Sequence, residues 1–276
     1  MLTTFLSRSD VSRNLNALHL LKELREALAK YPLHGDEARL PDFPAWAVVT
    51  RTGPHAVLQL HDAATGGLLA VMDAVHLSTL RASLVSALAA DVLARSDAKH
   101  VAVLGSGAAA SSALKALRLV RSLEHVWVNE EDEAQNFARA RSLATQLSMD
   151  VHDVASVEEA IAAADLVLLT GGVSLGELKV PAGTHVSIVQ ANAFNFAPLS
   201  PPELQHARAF SDGVFPWKQG ATLGDVLRAT APGRVDADDV TLFAGVSPPQ
   251  LDLIAAFHVF EGARHDEGLT RLDLES

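Results

Sequence analysis

The sequence predicts an α/β protein in which a doubly wound parallel sheet is joined to a smaller α+β domain built from both chain ends. Three observations predict it. From His100 onward, short apolar strands alternate with helical stretches, the pattern of right-handed βαβ units. Ahead of them, three extended runs separated by turn residues read as an antiparallel meander. A last helical stretch, "PPQLDLIAAFHVFEGARHD", falls outside the βαβ pattern and returns to the first domain. The expected division is 1–96 together with about 245–276 for the smaller domain, and 97–244 for the larger.

Taken in order, Val11, Leu15, Leu18, Leu21, Leu24 and Leu28 recur at steps of three or four, which predicts one helix running to about Lys30. The turn-rich "PLHGDEARLPDFP" follows. The meander comes next: "AWAVVTR", a Thr-Gly-Pro turn, "HAVLQLHD", a Thr65-Gly66 turn, and "GLLAVMDA". "LSTLRASLVSALAADVLAR", from Leu77 to Arg95, is a long Ala/Leu-rich helix without Gly or Pro. The strands of the parallel sheet are "HVAVLG", "HVWVN", "MDVHD", "DLVLLT" and "HVSIVQ"; after "ARAFSDG" come a short helix near Leu223 and then "PGRVDADDVTLFAGV". The chain finishes on a charged tail, "LTRLDLES".

Composition excludes several functions. A formal net charge of -11 and the lack of a Lys/Arg cluster argue against a nucleic-acid surface. With no cysteine there is no disulfide, thiolate metal site or Cys nucleophile. The 12 histidines are scattered with no H-x-x-x-H pair, so no metal site is expected. No apolar run reaches the roughly 20 residues of a membrane span, and the start carries no signal-peptide pattern, so a soluble, cytoplasmic protein is expected.

The stretch "VAVLGSGAAASSALKAL" carries the clearest chemistry. Gly105-Ser106-Gly107-Ala108-Ala109-Ala110 fits G-x-G-x-x-G/A between a strand and a helix. Gly105 permits the tight turn, Gly107 lets the backbone approach a pyrophosphate, and Ala110 lets the helix pack close to the strand. The phosphates would face the N–H groups of the helix N-terminus, Ala108 and Ala109 among them. The following strand ends at Asn129-Glu130-Glu131, where an acidic side chain accepts from the ribose hydroxyls and repels a 2′-phosphate. NAD is therefore preferred to NADP. Thr170, closing "DLVLLT", is counted with the same cofactor set.

Between His61 and Arg95, "HDAATGGLLAVMDAVHLSTLRASLVSALAADVLAR" resembles the ornithine cyclodeaminase/mu-crystallin family: a strand ending in Asp, a "TG" turn, a "plAlmDg"-like strand and a "lTalRTaA"-like helix. The likeness continues through "VAVLGSGAAASSAL", "AADLVLLTGG" and "PAGTHVSIVQANAF" to "DDVTLFAGVSPPQLDLIAA", which is similar to a family ending of the type "itlFksvG.alqDlaaA". The resemblance implies a Rossmann domain with a substrate and dimerisation domain, NAD or NADP as cofactor, a small amino or imino acid as ligand, and a homodimer. It implies that Arg81 grips the substrate carboxylate, a pairing suited to a bidentate guanidinium, and that Ser78 replaces a hydroxyl-bearing Thr. Ala82 replaces a second Thr.

Two departures stand out. The family's lysine ahead of the meander falls at about Ala47, in a segment that looks shortened, and its aspartate after the sixth strand falls at Asn192 in "QANAFNFAPL". An amide can hydrogen-bond but cannot act as a general base near neutral pH. Cyclodeamination itself is therefore not expected. His55, His61 and His76 are the nearest candidates to replace the lost proton donor. The resulting reading is an NAD(P)-dependent oxidoreductase acting at the C–N bond of a small imino or amino acid; the alternative is a catalytically inactive ligand-binding sensor or structural homologue.

Overall fold

The computed structural model describes residues 2–105, 107–129, 133–170, 179–190, 206–214 and 220–274. It divides into two compact units, 1–81 with 247–276, and 82–246. The first boundary falls between Arg81 and Ala82, not after residue 96. Ala82, Ala90 and Ala94 belong to the apolar core that contains Val101 and Val103, so packing assigns them to the second unit.

The first unit opens with a strand that the sequence reading missed, β1 (Leu2–Leu6). The single helix expected to run to Lys30 is two, α1 (Arg8–Asn14) and α2 (Ala17–Lys30). Ser7 and Asp10 close a capping box on α1. Leu15 and Asn16 are extended, and the Asn16 side chain accepts the His19 N–H, starting α2 afresh. The meander forms as expected: β2 (Ala45–Thr52), β3 (His55–Asp62) and β4 (Leu68–Asp73), with Gly53 at φ +59° in the first hairpin turn. The "charged tail" is corrected to a strand, β13 (Thr270–Asp273), antiparallel to β1. The resulting sheet has the order β13-β1-β4-β3-β2.

Strand alternation sends Ala45, Ala47, Leu58, Leu60, Ala70 and Met72 to one face, all buried. Helix α8 (Pro249–Gly262) lies against β2, β3 and α2. It is apolar nearly all round and correspondingly buried, with Leu251, Leu253, Ala255, Ala256 and Val259 at zero exposure. The other sheet face carries Phe5, Trp46, Val48, Val57 and Val71; Val48 and Val57 are exposed.

In the second unit the strands β5 (His100–Leu104), β6 (His125–Asn129), β7 (Val151–Asp153), β8 (Leu166–Leu169), β9 (His185–Ile188), β10 (Arg208–Ser211), β11 (Ala221–Thr222) and β12 (Thr241–Ala244) form one parallel sheet of order β11-β10-β12-β9-β8-β5-β6-β7. Of its central strands, β5 from Val101 to Leu104 and all of β8 read as continuous apolar runs because both faces are covered. On one face Val101, Val103, Val126, Val128, Leu166 and Leu168 meet α4 (Gly107–Leu117) and α5 (Glu133–Leu147). On the other, Ala102, Leu104, Val167, Leu169 and Val186 meet Ala160 and Ile161 of α6 (Val157–Ala162). The long helix α3 (Ala74–Leu93) precedes this sheet, and the short α7 (Leu223–Leu227) follows β11.

Inside this unit His185 is fully buried, bonded to Thr241 Oγ1 at 2.8 Å and Ser187 Oγ at 3.0 Å. Burial first, then the charges of Arg234 and Arg121, push its pKa down from 6.5 to about 3. The folded chain holds it neutral while the unfolded chain takes up a proton below pH 6.5. Stability should therefore fall as pH drops from 6.5 toward 3, by up to about 1.4 kcal/mol per pH unit from this group. Urea unfolding across that window checks it, with His185→Gln expected to flatten the slope.

Candidate functional site

The glycine turn sits where a dinucleotide turn has to sit. Strand β5 is flanked by β6 on one side and β8 on the other, so the chain reverses its direction of winding at β5. A crevice at the carboxyl ends of the strands opens at such a switch point. Gly105 leaves β5 with φ +106°, a conformation that a side chain would strain, and α4 begins at Gly107. Ala110 has no exposed surface, so the helix packs on the sheet as the motif requires, while Ala108 is exposed at the helix start. These features fit NAD.

Two of the other cofactor candidates are already engaged by main chain. Asn129 Nδ2 donates to Val154 O at 3.0 Å, which leaves its amide oxygen as the acceptor. Thr170 directs its backbone N–H and its hydroxyl to Leu104 O, at 2.9 and 3.3 Å. Ser106, Glu130, Glu131 and Asn192 lie outside the described residues.

Arg81, to which the resemblance assigns the substrate carboxylate, lies in the other unit. Arg81, on α3, is 1% exposed. Its Nε and Nη2 both donate to Asp252 Oδ1, at 2.9 and 2.8 Å, and its Nη1 reaches Ser247 Oγ at 3.3 Å. Of the five guanidinium N–H groups, one on Nη1 and one on Nη2 remain without a partner among the described residues. Ser247 holds φ +59°, a left-handed conformation that costs a non-glycine residue about 1–2 kcal/mol. One helical turn before Arg81, on the same side of α3, Ser78 is 7% exposed and its hydroxyl has no hydrogen-bond partner among the described residues. A buried unpaired hydroxyl costs about 1–3 kcal/mol, which a bound ligand would recover. Ser78 and Arg81 are thus brought together, and Asp252 and Ser247 join them without any local sign in the sequence.

The profile of the ornithine cyclodeaminase/mu-crystallin family matches residues 47–267. The chain belongs to this family. A Δ1-pyrroline-2-carboxylate reductase of Bacillus cereus is 25% identical over 231 residues, covering 76% of this chain and 71% of that one. Among solved structures, Thermococcus litoralis Δ1-pyrroline-2-carboxylate reductase in complex with NADH and L-proline is similar at a TM-score of 0.79 and 20% identity, covering 98% of this chain and 100% of that chain. An archaeal alanine dehydrogenase dimer with bound NAD is similar at 0.81 and 21%, covering 99% and 100%. These likenesses show a shared α/β fold containing a Rossmann-type parallel sheet.

Ala47, where the resemblance leads one to expect a lysine, is a buried methyl on β2, and its N–H donates to Ala38 O at 3.0 Å. Lys30 does not replace it: its Nζ lies 4.7 Å from the Tyr31 ring and is exposed. Of the three histidines, His55 is exposed at the start of β3. His61 stacks on Trp46 at 4.2 Å with Nδ1 3.2 Å from Gly66 O. His76 pairs with Ser12 Oγ at 2.6 Å, and burial, then the Arg8 charge, hold it below its ordinary pKa, a poor state for a proton donor.

Sequence reasoning missed one cluster. His19, Glu23 and His258 bring ligand-capable atoms within 4.8 Å of one another. Asn16 N–H donates to His258 Nε2 at 3.2 Å, so Nδ1 carries the proton and donates to Glu23 Oε2 at 2.9 Å. With both nitrogens committed, His258 offers no lone pair to a metal. The group clamps α2 to α8. No helix among the described residues is long and apolar enough to cross a membrane.

Proposed function

We propose that this chain is an NAD-dependent reductase of a small α-imino acid, with a cyclic imine carboxylate such as Δ1-pyrroline-2-carboxylate as substrate. The observation that carries the reading is a buried Arg81 with two N–H groups, and a Ser78 hydroxyl one turn away, that have no partner among the described residues. A guanidinium edge recognises a carboxylate with two parallel hydrogen bonds, and a neighbouring hydroxyl fixes the ligand's rotation about that axis. The relatives' activities, reduction of Δ1-pyrroline-2-carboxylate among them, support the same class.

NADH would supply the hydride, and Gly105, Gly107, Ala108, Ala109 and the Asn129 amide oxygen are the described residues suited to hold it. A substrate imine that arrives protonated would need only that hydride at carbon to become the secondary amine. The protein then needs to hold the carboxylate and exclude water but need not deliver a proton, so the absence of lysine at Ala47 is tolerable. Purified protein should oxidise NADH with Δ1-pyrroline-2-carboxylate, and Arg81→Ala should abolish it. Binding of NADH and L-proline without turnover would favour the alternative, a catalytically silent ligand-binding homologue.

The glycine turn supports two further expectations. NADH should bind with fluorescence enhancement, and Gly107→Val should remove it by blocking the pyrophosphate approach; equal binding by both proteins would refute this. NADPH should bind less tightly than NADH. A chemistry that consumes reduced dinucleotide and a chain without cysteine suit the cytoplasm.

The outer face of the five-stranded sheet favours a homodimer. Phe5, Trp46, Val48, Val57 and Val71 stand on it, and a groove of about 730 Å³ runs past Phe5, Val57 and Val71. A second copy related by a two-fold axis covers such a face with itself. Light scattering should give about twice the 29.2 kDa chain mass, and Val57→Asp should shift it toward the monomer.

A further inference from the structure

The Arg81 anchor is already neutralised before any ligand arrives. Asp252 Oδ1 takes the Nε and Nη2 hydrogens, and both side chains are largely withdrawn from water, at 1% and 12% exposure. The second carboxylate oxygen, Oδ2, makes no hydrogen bond among the described residues. The cluster therefore has a net charge near zero, two guanidinium N–H groups for a carboxylate, and one carboxylate oxygen for a donor or a cation.

We propose that Asp252 is the residue that restricts this site to zwitterions: the ligand's carboxylate takes the remaining Arg81 N–H groups, and its cationic nitrogen takes Asp252 Oδ2. A bare carboxylate would add one uncompensated negative charge to a buried, balanced pair, which is unfavourable. A protonated imino acid or an amino acid adds no net charge and satisfies both partners. A dicarboxylate is disfavoured for the same reason as a simple acid. The proposal rests on the reading that Arg81 anchors an amino or imino acid, and it adds what selects among carboxylates. Ser247, which reaches Nη1 from a left-handed backbone position, fixes the guanidinium plane and so helps to aim the remaining hydrogens.

Two ligands of the same ring size separate the possibilities. L-Proline is a zwitterion at neutral pH; pyrrole-2-carboxylate has the same carboxylate on a five-membered ring but no basic nitrogen. Calorimetric titration of the wild-type protein should show L-proline binding at least about tenfold tighter than pyrrole-2-carboxylate. Asp252→Asn, which leaves the Arg81 charge uncompensated, should invert that order. Ser247→Gly keeps both charges and should keep the order with weaker binding of each ligand. Equal or tighter binding of pyrrole-2-carboxylate by the wild type overturns the proposal, and so does failure of both ligands to bind. If Asp252→Asn does not fold, the wild-type ratio and the Ser247→Gly order decide the matter. Selective binding of proline with no NADH turnover on any imine would uphold the proposal and overturn the reductase reading.

Discussion

Asp252→Ala should destabilise the fold by about 3–5 kcal/mol, the cost of leaving a guanidinium buried without its carboxylate. Arg81 is 1% exposed, and no other carboxylate is paired with it among the described residues. Urea unfolding measures the effect directly, and a loss below about 1 kcal/mol would mean that water or a rearranged side chain replaces Asp252. The double substitution Arg81→Met with Asp252→Leu should recover most of the lost stability, because a buried ion pair can be exchanged for apolar residues of similar volume at little cost. That double variant should still fail to bind L-proline. Stability recovered with binding lost would separate the pair's role in the ligand site from its role in packing.

Ornithine turnover should be absent. Cyclodeamination removes a hydride, lets the side-chain amine attack, and expels ammonia, and each stage moves a proton. A positioned acid or base typically contributes about 10²–10⁴-fold per role. The resemblance places the family's lysine at Ala47, a buried methyl, and its aspartate at Asn192, an amide. Two roles lost together imply a deficit of about four to eight orders of magnitude. Incubation with ornithine and NAD followed by proline detection tests this. Proline production at a rate comparable to imine reduction would show that a proton-transfer group outside those two positions serves the site.

The parallel sheet was legible because strands such as "VAVL" and "LVLL" are continuous apolar runs that alternate with helices, the mark of strands covered on both faces. Its glycine turn was legible because Gly105 and Gly107 satisfy local backbone demands. The strands at the two chain ends were not. "LTTFL" and "TRLD" lack a clear alternation; "TRLD" is a strand through its pairing with β1, and "LTTFL" through its pairing with both β13 and β4. The break between α1 and α2 falls within an unbroken helical repeat of leucines, and the Asn16 cap decides it. At the candidate site, Ser78 and Arg81 could be found by helical spacing. Asp252 lies 171 positions from Arg81, and His258 lies 235 from Glu23, so their partnerships carry no local signal. Resemblance pointed to Arg81 as a carboxylate anchor; only the folded chain shows that its guanidinium is paired with Asp252.

The pairing of β1 with β13 has a consequence for biosynthesis. A ribosome releases residues 82–246 as one uninterrupted block, so that unit can complete its sheet while the chain is still growing. The other unit cannot. Its sheet lacks an edge until β13 is made, and Leu58 and Leu60 lack the helix that covers them until α8 emerges. The amino-terminal segment is thus made first and finishes last, with its apolar face open throughout elongation. Such high contact order slows folding and lengthens exposure to aggregation. Nascent chains arrested at Val246 should therefore recruit chaperones through the meander, and those released at full length should not.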